Sequence, residues 1–283
     1  SYFYRYSFFA ALLAKCFGKK TYFTGGIDSL DSDYASAFNY KIQALFFKLC
    51  YWVADSCIIV SQSDLKNIFK VSSLKKKLSY SEHVINTKLF IADVPKEKIF
   101  TSIVWMGDEG NVVRKGVDKA LRIFAELKKI PEFVDYRFVI IGRKGEGEVL
   151  VRSIIDKYNL KGSVELKGEV SEEDKINLLK QSKYYFQLSL YEGFGLAALE
   201  ALCANNIIIH SGKGGLANPI YKEQLLFDID NDFDSELLKL VNKLACFTPI
   251  TSYDNLLEYY DIQRRKDDFE AIIVNGKSNY KLK

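Results

Sequence analysis

Two glutamates eight positions apart bracket a pair of glycines in YEGFGLAALEAL, residues 191–202. Glu192 stands before an apolar, alanine-rich run and Glu200 stands inside it. Gly193 and Gly195 let backbone amides at a helix start approach a ligand closely, and that helix end carries partial positive charge. Such a tip suits a diphosphate. Upstream, Arg114 and Lys115 would add full positive charge, the first as a planar fork and the second as a point charge. Glu200 falls about five residues into the expected helix, roughly 7.5 Å along its axis, a reach comparable to that from a diphosphate to the ribose hydroxyls of one nucleotide. A carboxylate at that depth would accept from two vicinal hydroxyls, with Glu192 facing the other side of the diphosphate. The plain alternative is a surface loop followed by a helix with one polar edge.

Positioning these groups requires a frame, and residues 101 onward supply its pattern. TSIVWMG, YRFVIIG, SVELKG, YYFQLSL, NIIIHS and LLFDID read as short strands. Between them VDKALRIFAELKKI, GEVLVRSIIDKYNL, SEEDKINLLKQS and GLAALEALCAN carry helical spacing, with Val117, Ala120, Leu121, Phe124 and Leu127 on one stripe. Ser171, with Asp174 three residues on, predicts an N-cap. Short strands alternating with helices of ten to fifteen residues predict βαβ units, a parallel sheet and helices on both of its faces. Ligands of such sheets bind beyond the carboxyl ends of the strands, where Gly107, Gly142 and Gly168 lie. DEGNVVRKG reads as the polar loop that follows the first of these strands.

Before that domain, KKTYFTGG, DSCIIVSQ and SEHVIN read as strands, and DYASAFNYKIQALFFKLCYWVA as a long buried helix. TKLFIADVPKEKIF reads as the linker. The division expected is 1–98, a partial first Rossmann-like domain; 99–250, a complete second one; and 251–283, a helical tail crossing back to the first. The chain opens on Ser1 within a helical pattern, so the first strands of the opening domain are expected to lie outside it. Its apolar opening, about a dozen residues broken by Arg5 and Lys15, is too short to span a bilayer.

Bulk properties narrow the class. Residues 1–98 hold 14 Lys/Arg against 8 Asp/Glu, and the rest of the chain is at −2, so the first part favours anionic partners. Five scattered cysteines without CxxC spacing read as reduced thiols of a cytoplasmic protein. His83 and His210 stand alone, which argues against a zinc site built on histidines. A dehydrogenase is disfavoured because GxGxxG followed by an acidic residue is missing.

Taken together, EGFGLAALE, RKGVDKALRIFAELKK, FVIIG and VELKGEVSEEDKINLLKQSKYYFQLSLYEGFG resemble the retaining glycosyltransferases of family GT4 (glycosyltransferase group 1). The likeness covers the whole second domain and is looser over residues 1–98. It implies an α/β fold of GT-B type, with two Rossmann-like doubly wound domains. It implies a nucleoside-diphosphate-sugar donor, no cofactor and no metal, the cations stabilising the leaving diphosphate instead. Carried over residue by residue, Glu200 would bind ribose, Glu192 would be the catalytic contact to the sugar, and the Gly193, Phe194, Gly195 and Leu196 backbone would bind sugar and phosphates. Arg114 and Lys115 would bind the diphosphate, with Gly107 and Gly142 at the strand ends and Lys167 with Gly168 near the base. Gly25, Gly26 and Asp28 of TYFTGGID would lie on the acceptor side. The family's Gly-Arg after the first strand is Gly107–Asp108 here, which leaves Arg114 as the substitute. The acceptor is expected to be a carbohydrate or lipid-linked, in polysaccharide or glycolipid assembly. Nucleic acid is not an expected partner, and peripheral contact with the inner membrane face is. A sugar-nucleotide isomerase or hydrolase of the same fold, and a non-catalytic nucleotide-sugar-binding fragment, are the other two readings.

Overall fold

The computed structural model describes residues 3, 5–25, 30, 35–72, 76–91, 94–247 and 254–275. The chain packs as two compact units, one of Ser1–Ile85, Tyr191–Phe194 and Glu258–Lys283, the other of Asn86–Leu190 and Gly195–Leu257.

The first unit opens with α1 (Arg5–Cys16), β1 (Tyr22–Thr24), α2 (Ala37–Val53), β2 (Ser56–Ile59), α3 (Gln62–Val71) and β3 (Leu78–Tyr80). The three strands form a parallel sheet in the order β1-β2-β3. All four residues of β2 are buried, which suits a central strand covered on both faces. Phe3, Phe23 and Phe47 stack over this sheet with Cys50, Cys57 and Ile59 around them. Ser36 and Ser61 cap α2 and α3 by accepting from the Asn39 and Asp64 amides. At its other end α2 has no basic residue in its last turn. Lys77 takes that role from a distance, its ammonium donating to the carbonyls of Tyr51, Trp52 and Ala54 at 3.2, 2.9 and 2.7 Å.

Two expectations change here. The helix read as fully buried is buried on one stripe, with Phe38, Ile42, Leu45 and Trp52 exposed, because a single sheet covers one side of a helix laid on it. The strand expected over SEHVIN lies earlier, at Leu78–Tyr80, and Ile85 makes only an isolated bridge to Asp261.

The second unit runs β4 (Glu97–Ile103), α4 (Glu109–Arg114), α5 (Val117–Leu127), β5 (Arg137–Ile141), α6 (Gly147–Lys157), β6 (Val164–Gly168), α7 (Glu172–Gln181), β7 (Ser182–Gln187), α8 (Leu196–Cys203), β8 (Ile207–His210), β9 (Leu225–Leu226) and α9 (Phe233–Cys246). Its sheet is parallel throughout, in the order β6-β5-β4-β7-β8-β9. On one face Phe100 stacks between Tyr184 and Phe186, at centroid distances of 4.6 and 5.1 Å, over the buried stripe of α5. The other face buries Ile99, Val139, Ile141 and Leu178. Both faces are therefore covered, as the strand–helix alternation predicts. Ser171 caps α7 by accepting from the Asp174 amide at 3.0 Å.

The segment read as a linker contributes β4, and it is fastened by Lys96. That ammonium donates to the Leu179 and Lys180 carbonyls of α7, at 3.3 and 2.8 Å, and to Ala204 at the end of α8. One cation thus closes the carboxyl ends of two helices, α8 having no basic residue in its own last turn. Pro95 and the charges around it have a linker-like composition, yet the second unit begins as early as Asn86. Lys96→Met removes the ammonium from all three carbonyls, leaving Leu179 and Ala204 the Asn206 side-chain amide, and is expected to cost about 1–3 kcal/mol of stability, measured by urea unfolding.

After α9 come α10 (Asp254–Tyr259) and α11 (Ile262–Asn275). From Glu258 on, the chain belongs to the first unit again. Tyr260 donates its hydroxyl to Glu82 at 2.8 Å, and Ser81 donates to Asp268 at 2.9 Å, with Arg264 pairing to the same carboxylate. Glu82 and Asp268 are buried, so each carboxylate meets its hydrogen bonds inside the unit. All five cysteines are free, Cys50, Cys57 and Cys203 being buried. No helix of the described residues is long and apolar enough to cross a membrane.

Candidate functional site

In the second unit the sheet order reverses at β4, whose neighbours β5 and β7 lead the chain outward in opposite directions. That is the topological switch point, and the crevice beyond the carboxyl ends of β4 and β7 is where a ligand is expected.

Glycines let the loops at this edge close on one another. Gly142, at φ 134°, passes so near the Val104 carbonyl that an added Cβ would sit 2.1 Å from its oxygen. The Met106 amide donates to the Arg143 carbonyl at 2.9 Å, the Glu146 amide to Gly107 at 3.1 Å, and the Gly142 amide to Gly168 at 2.8 Å. Gly107, Gly142 and Gly168 are therefore brought together across β4, β5 and β6. Lys167 is not part of that group. It lies exposed on the edge strand β6, 4.0 Å from Glu165, with β5 between it and β4.

Arg114 and Lys115 close the short helix α4, a segment that sequence patterning reads as a loop. Asp108, the residue standing where the family has arginine, is its N-cap and accepts from the Asn111 amide at 2.6 Å. The departure thus has a structural use. Gly116 follows in the left-handed region, and the Leu190 amide donates to the Arg114 carbonyl at 2.8 Å. The two cations are in this way fixed to the exit of β7. The Arg114 guanidinium donates to the Asn111 amide oxygen at 2.7 Å.

The helix α8 begins at Gly195, φ 89°, and no side chain caps it. Serine or aspartate caps α2, α3, α4, α7 and α9, whereas α5 and α6 share with α8 a start without a side-chain cap, and the tip of α8 is left to its backbone amides. Tyr221 steadies the tip, its hydroxyl donating to the Gly195 carbonyl at 3.3 Å. Leu196 is 42% exposed at this end, whereas Ala198, Leu199, Ala201 and Leu202 are buried.

Glu200 has a partner that sequence reasoning missed. Both of its carboxylate oxygens lie 2.9 Å from the ammonium of Lys175 on α7, which also reaches Glu172 at 2.8 Å. Burial raises the Glu200 carboxyl above its usual range, against the opposing pull of Lys175. Burial works against the charge of Lys175 too, but its bonds to Glu172 and Glu200 prevail and its pKa is raised. Within the sequence Lys175 reads as half of a surface Glu172–Lys175 pair, and no local signal points to Glu200. A single ammonium between the two oxygens leaves part of the carboxylate's lone-pair capacity for further donors.

Tyr191–Phe194, including Glu192 and Gly193, belong to the first unit. There Phe194 is buried, 5.4 Å from the His83 ring and 6.2 Å from Tyr260. Desolvation first, and Arg265 second, lower His83 to about 4. His210, in the second unit, is likewise driven by burial to about 4 and faces Tyr221 at 5.6 Å. Both rings are neutral near pH 7, and neither is poised as an acid. Gly25 closes β1, while Gly26 and Asp28 lie outside the described residues.

Comparison with known proteins bears on the fold and on the stretch of chain that builds this edge. The family profile described as "Glycosyl transferases group 1" matches residues 110–245. A GDP-mannose:cellobiosyl-diphosphopolyprenol alpha-mannosyltransferase of Xanthomonas oryzae pv. oryzae is 32% identical over 163 residues, covering 50% of this chain and 40% of that protein. A human protein named as a phosphatidylinositol N-acetylglucosaminyltransferase component is 30% identical over 105 residues, covering 37% of this chain and 21% of that one. This chain therefore spans less than half the length of either relative. Among solved structures, Anabaena Alr3699/HepE in complex with UDP superposes with a TM-score of 0.73 at 13% identity, over 95% of this chain and 76% of that one. At that identity the likeness speaks for the fold, which is the α/β, GT-B type expected. The profile match runs from α4 through α9, across most of the edge just described, and over that stretch this chain is similar to the group 1 glycosyl transferases.

Proposed function

We propose that this chain takes part in moving a sugar from a nucleoside-diphosphate donor to an acceptor, with retention of configuration and without a metal. The observation that carries the reading is the uncapped tip of α8 with a partly buried carboxylate about a turn and a half further along. In this reading the amides at Gly195 and Leu196 hold the diphosphate, Arg114 and Lys115 neutralise it, and Glu200 accepts from the ribose. The bond from the anomeric carbon to the diphosphate breaks, the acceptor oxygen takes its place on the same face, and the acceptor's hydroxyl proton passes to the departing phosphate oxygen. The charge that builds on the leaving phosphates meets fixed cations and helix amides, and this is electrostatic stabilisation without rearrangement. Glu192 contacts the sugar. Gly107, Gly142 and Gly168 let the loops fold flat around the nucleotide, and Lys167 is the outer candidate near the base. The acceptor side is assigned to the first unit, including Gly25.

The Xanthomonas relative is named for a GDP-mannose donor and a diphosphopolyprenol-linked acceptor, and the human one for phosphatidylinositol. These names support a carbohydrate or lipid-linked acceptor in cell-surface polysaccharide or glycolipid assembly. Free cysteines support a reducing, cytoplasmic setting. Histidines held neutral argue against an isomerase or hydrolase that needs a further acid or base.

Calorimetric titration with UDP-, GDP- and ADP-sugars tests the reading. Glu200→Ala should weaken the preferred nucleotide by about 1–3 kcal/mol, which is about five- to 150-fold. Because the Glu200 carboxyl is raised, it takes up its proton earlier than an exposed glutamate as pH falls. Affinity should therefore decline on the acid side, and Lys175→Met should move that decline to higher pH. The Lys175 pair also favours a second reading, in which Glu200 only clamps α8 to α7. Under that reading Glu200→Ala lowers the unfolding midpoint and leaves nucleotide affinity untouched, an outcome that removes Glu200 from the site.

A further inference from the structure

We infer that Trp105 is the platform on which the base of the bound nucleotide stacks, an inference that rests on the donor chemistry proposed above. Trp105 stands two residues beyond the end of β4. Its neighbours Val104 and Met106 are both buried in the core that α5 covers. The Val104 amide donates to the Ile141 carbonyl at 2.8 Å and the Met106 amide to that of Arg143 at 2.9 Å. Strand alternation therefore turns Trp105 the other way, to the side on which Ile103 packs with Ile99 and Leu178. Leu178 belongs to α7, and the Lys175–Glu200 pair joins α7 to α8. The indole thus faces the side of the sheet that carries both helices. Asn111 fixes the backbone further by donating its side-chain amide to the Trp105 carbonyl.

The ring itself is left open. Trp105 is 56% exposed, and among the described residues no hydrogen bond or ring contact engages the indole. It lies over Gly107, where an added Cβ would stand 2.6 Å from the ring. A single exposed apolar side chain is ordinary on a protein surface; the place of this one is not. In the function proposed above, the diphosphate lies at the tip of α8, beyond β7, and the base lies near Gly168, at the end of β6. The sheet order is β6-β5-β4-β7-β8-β9, so a nucleoside joining those two points passes over the exits of β4 and β5. It does so on the side of α7 and α8, where Glu200 stands. Trp105 rises at the first of those exits. An indole offers a wide planar face that stacks on any base, because every base has a π-face. Each part of the nucleotide then meets its own chemistry: cations and amides for the diphosphate, a carboxylate for the ribose, and an aromatic plane for the base.

Fluorescence beside calorimetry is the test, with UDP, GDP and ADP as ligands and inorganic pyrophosphate as the probe of the phosphate site alone. The chain has two tryptophans, Trp52 and Trp105, so Trp52→Phe leaves Trp105 as the sole indole. Its emission should be quenched by the tightest of the three nucleotides, over the concentration range in which calorimetry shows binding. Pyrophosphate should leave that emission unchanged. Trp105→Ala should weaken the same nucleotide about five- to 150-fold and leave the affinity for pyrophosphate unaltered. Trp105→Phe, which keeps an aromatic plane, should retain most of the affinity, whereas Trp105→Leu, apolar but not planar, should not. A nucleotide that binds Trp105→Ala as tightly as the unaltered protein, without quenching Trp105, overturns the inference and leaves the donor chemistry standing. A loss shared equally by nucleotide and pyrophosphate overturns it too, since the indole would then shape the edge rather than meet the base. Failure of all three nucleotides to bind the folded, unaltered protein removes the donor chemistry itself, and the role of Trp105 with it.

Discussion

Glu192→Gln is expected to lower turnover by about 10²- to 10³-fold while nucleotide affinity stays close to that of the unaltered protein. The substitution keeps the shape of the side chain and removes its charge. In sugar transfer the departing diphosphate leaves positive charge on the sugar ring at the transition state, and a carboxylate in contact with the sugar is worth more there than in the bound donor. Such an interaction shows in kcat rather than in binding. The segment bearing Glu192 is anchored on both sides within the first unit, by buried Tyr191 before it and by Phe194, held between His83 and Tyr260, after it. The carboxylate is thus set on a fixed piece of backbone rather than a free loop. Single-turnover kinetics beside calorimetry separate the cases. Equal losses in affinity and turnover would make Glu192 a donor-binding group, and no loss in either would take it out of the site.

The second large effect belongs to Gly116. Its φ is 70°, and a Cβ placed on it would stand 2.0 Å from the Leu188 carbonyl oxygen. A β-branched residue would meet both the left-handed penalty and a backbone clash that no rotamer relieves. Gly116→Val should therefore cost on the order of 3 kcal/mol or more, read as a drop in the urea midpoint. Gly162 is the control. It has φ 85° and nothing within 4 Å of an added Cβ, so Gly162→Ala should cost only the conformational part, about 1–2 kcal/mol. If the two substitutions prove equal, the close approach of the α4–α5 turn to β7 is not what holds the second unit's edge together. Gly116 follows Arg114 and Lys115 directly, so a folded Gly116→Ala protein should also bind the diphosphate less well.

Much of this frame is written in local periodicity. The α5 stripe, the Ser171 cap and the apolar runs of β5, β7 and β8 are decided by neighbours a few residues away, and each stands in the structure where its pattern puts it. The glycines at strand ends were legible for the same reason, as interruptions of a strand pattern. What could not be read is pairing through space. Lys175 and Glu200 are 25 residues apart, and only the packing of α7 beside α8 joins them. Lys96 was hidden in a linker-like composition because its acceptors are carbonyls 83 to 108 residues away, which leave no trace in side-chain pattern. Similarly, α2 has the composition of a buried helix, and only the three-stranded sheet beneath it reveals that half of it is open.

The return of the tail to the first unit has a consequence for biogenesis. Ser81 and Glu82 wait for partners 187 and 178 residues downstream, and the whole second unit leaves the ribosome in that interval. The intervening domain, Tyr191–Phe194 excepted, can therefore condense first on the nascent chain. It then brings the ends of a very long loop near each other before its closure entropy falls due. Until the tail arrives, Glu82 lacks Tyr260 and Ser81 lacks Asp268, so the earlier-made part of the protein is the later one to mature.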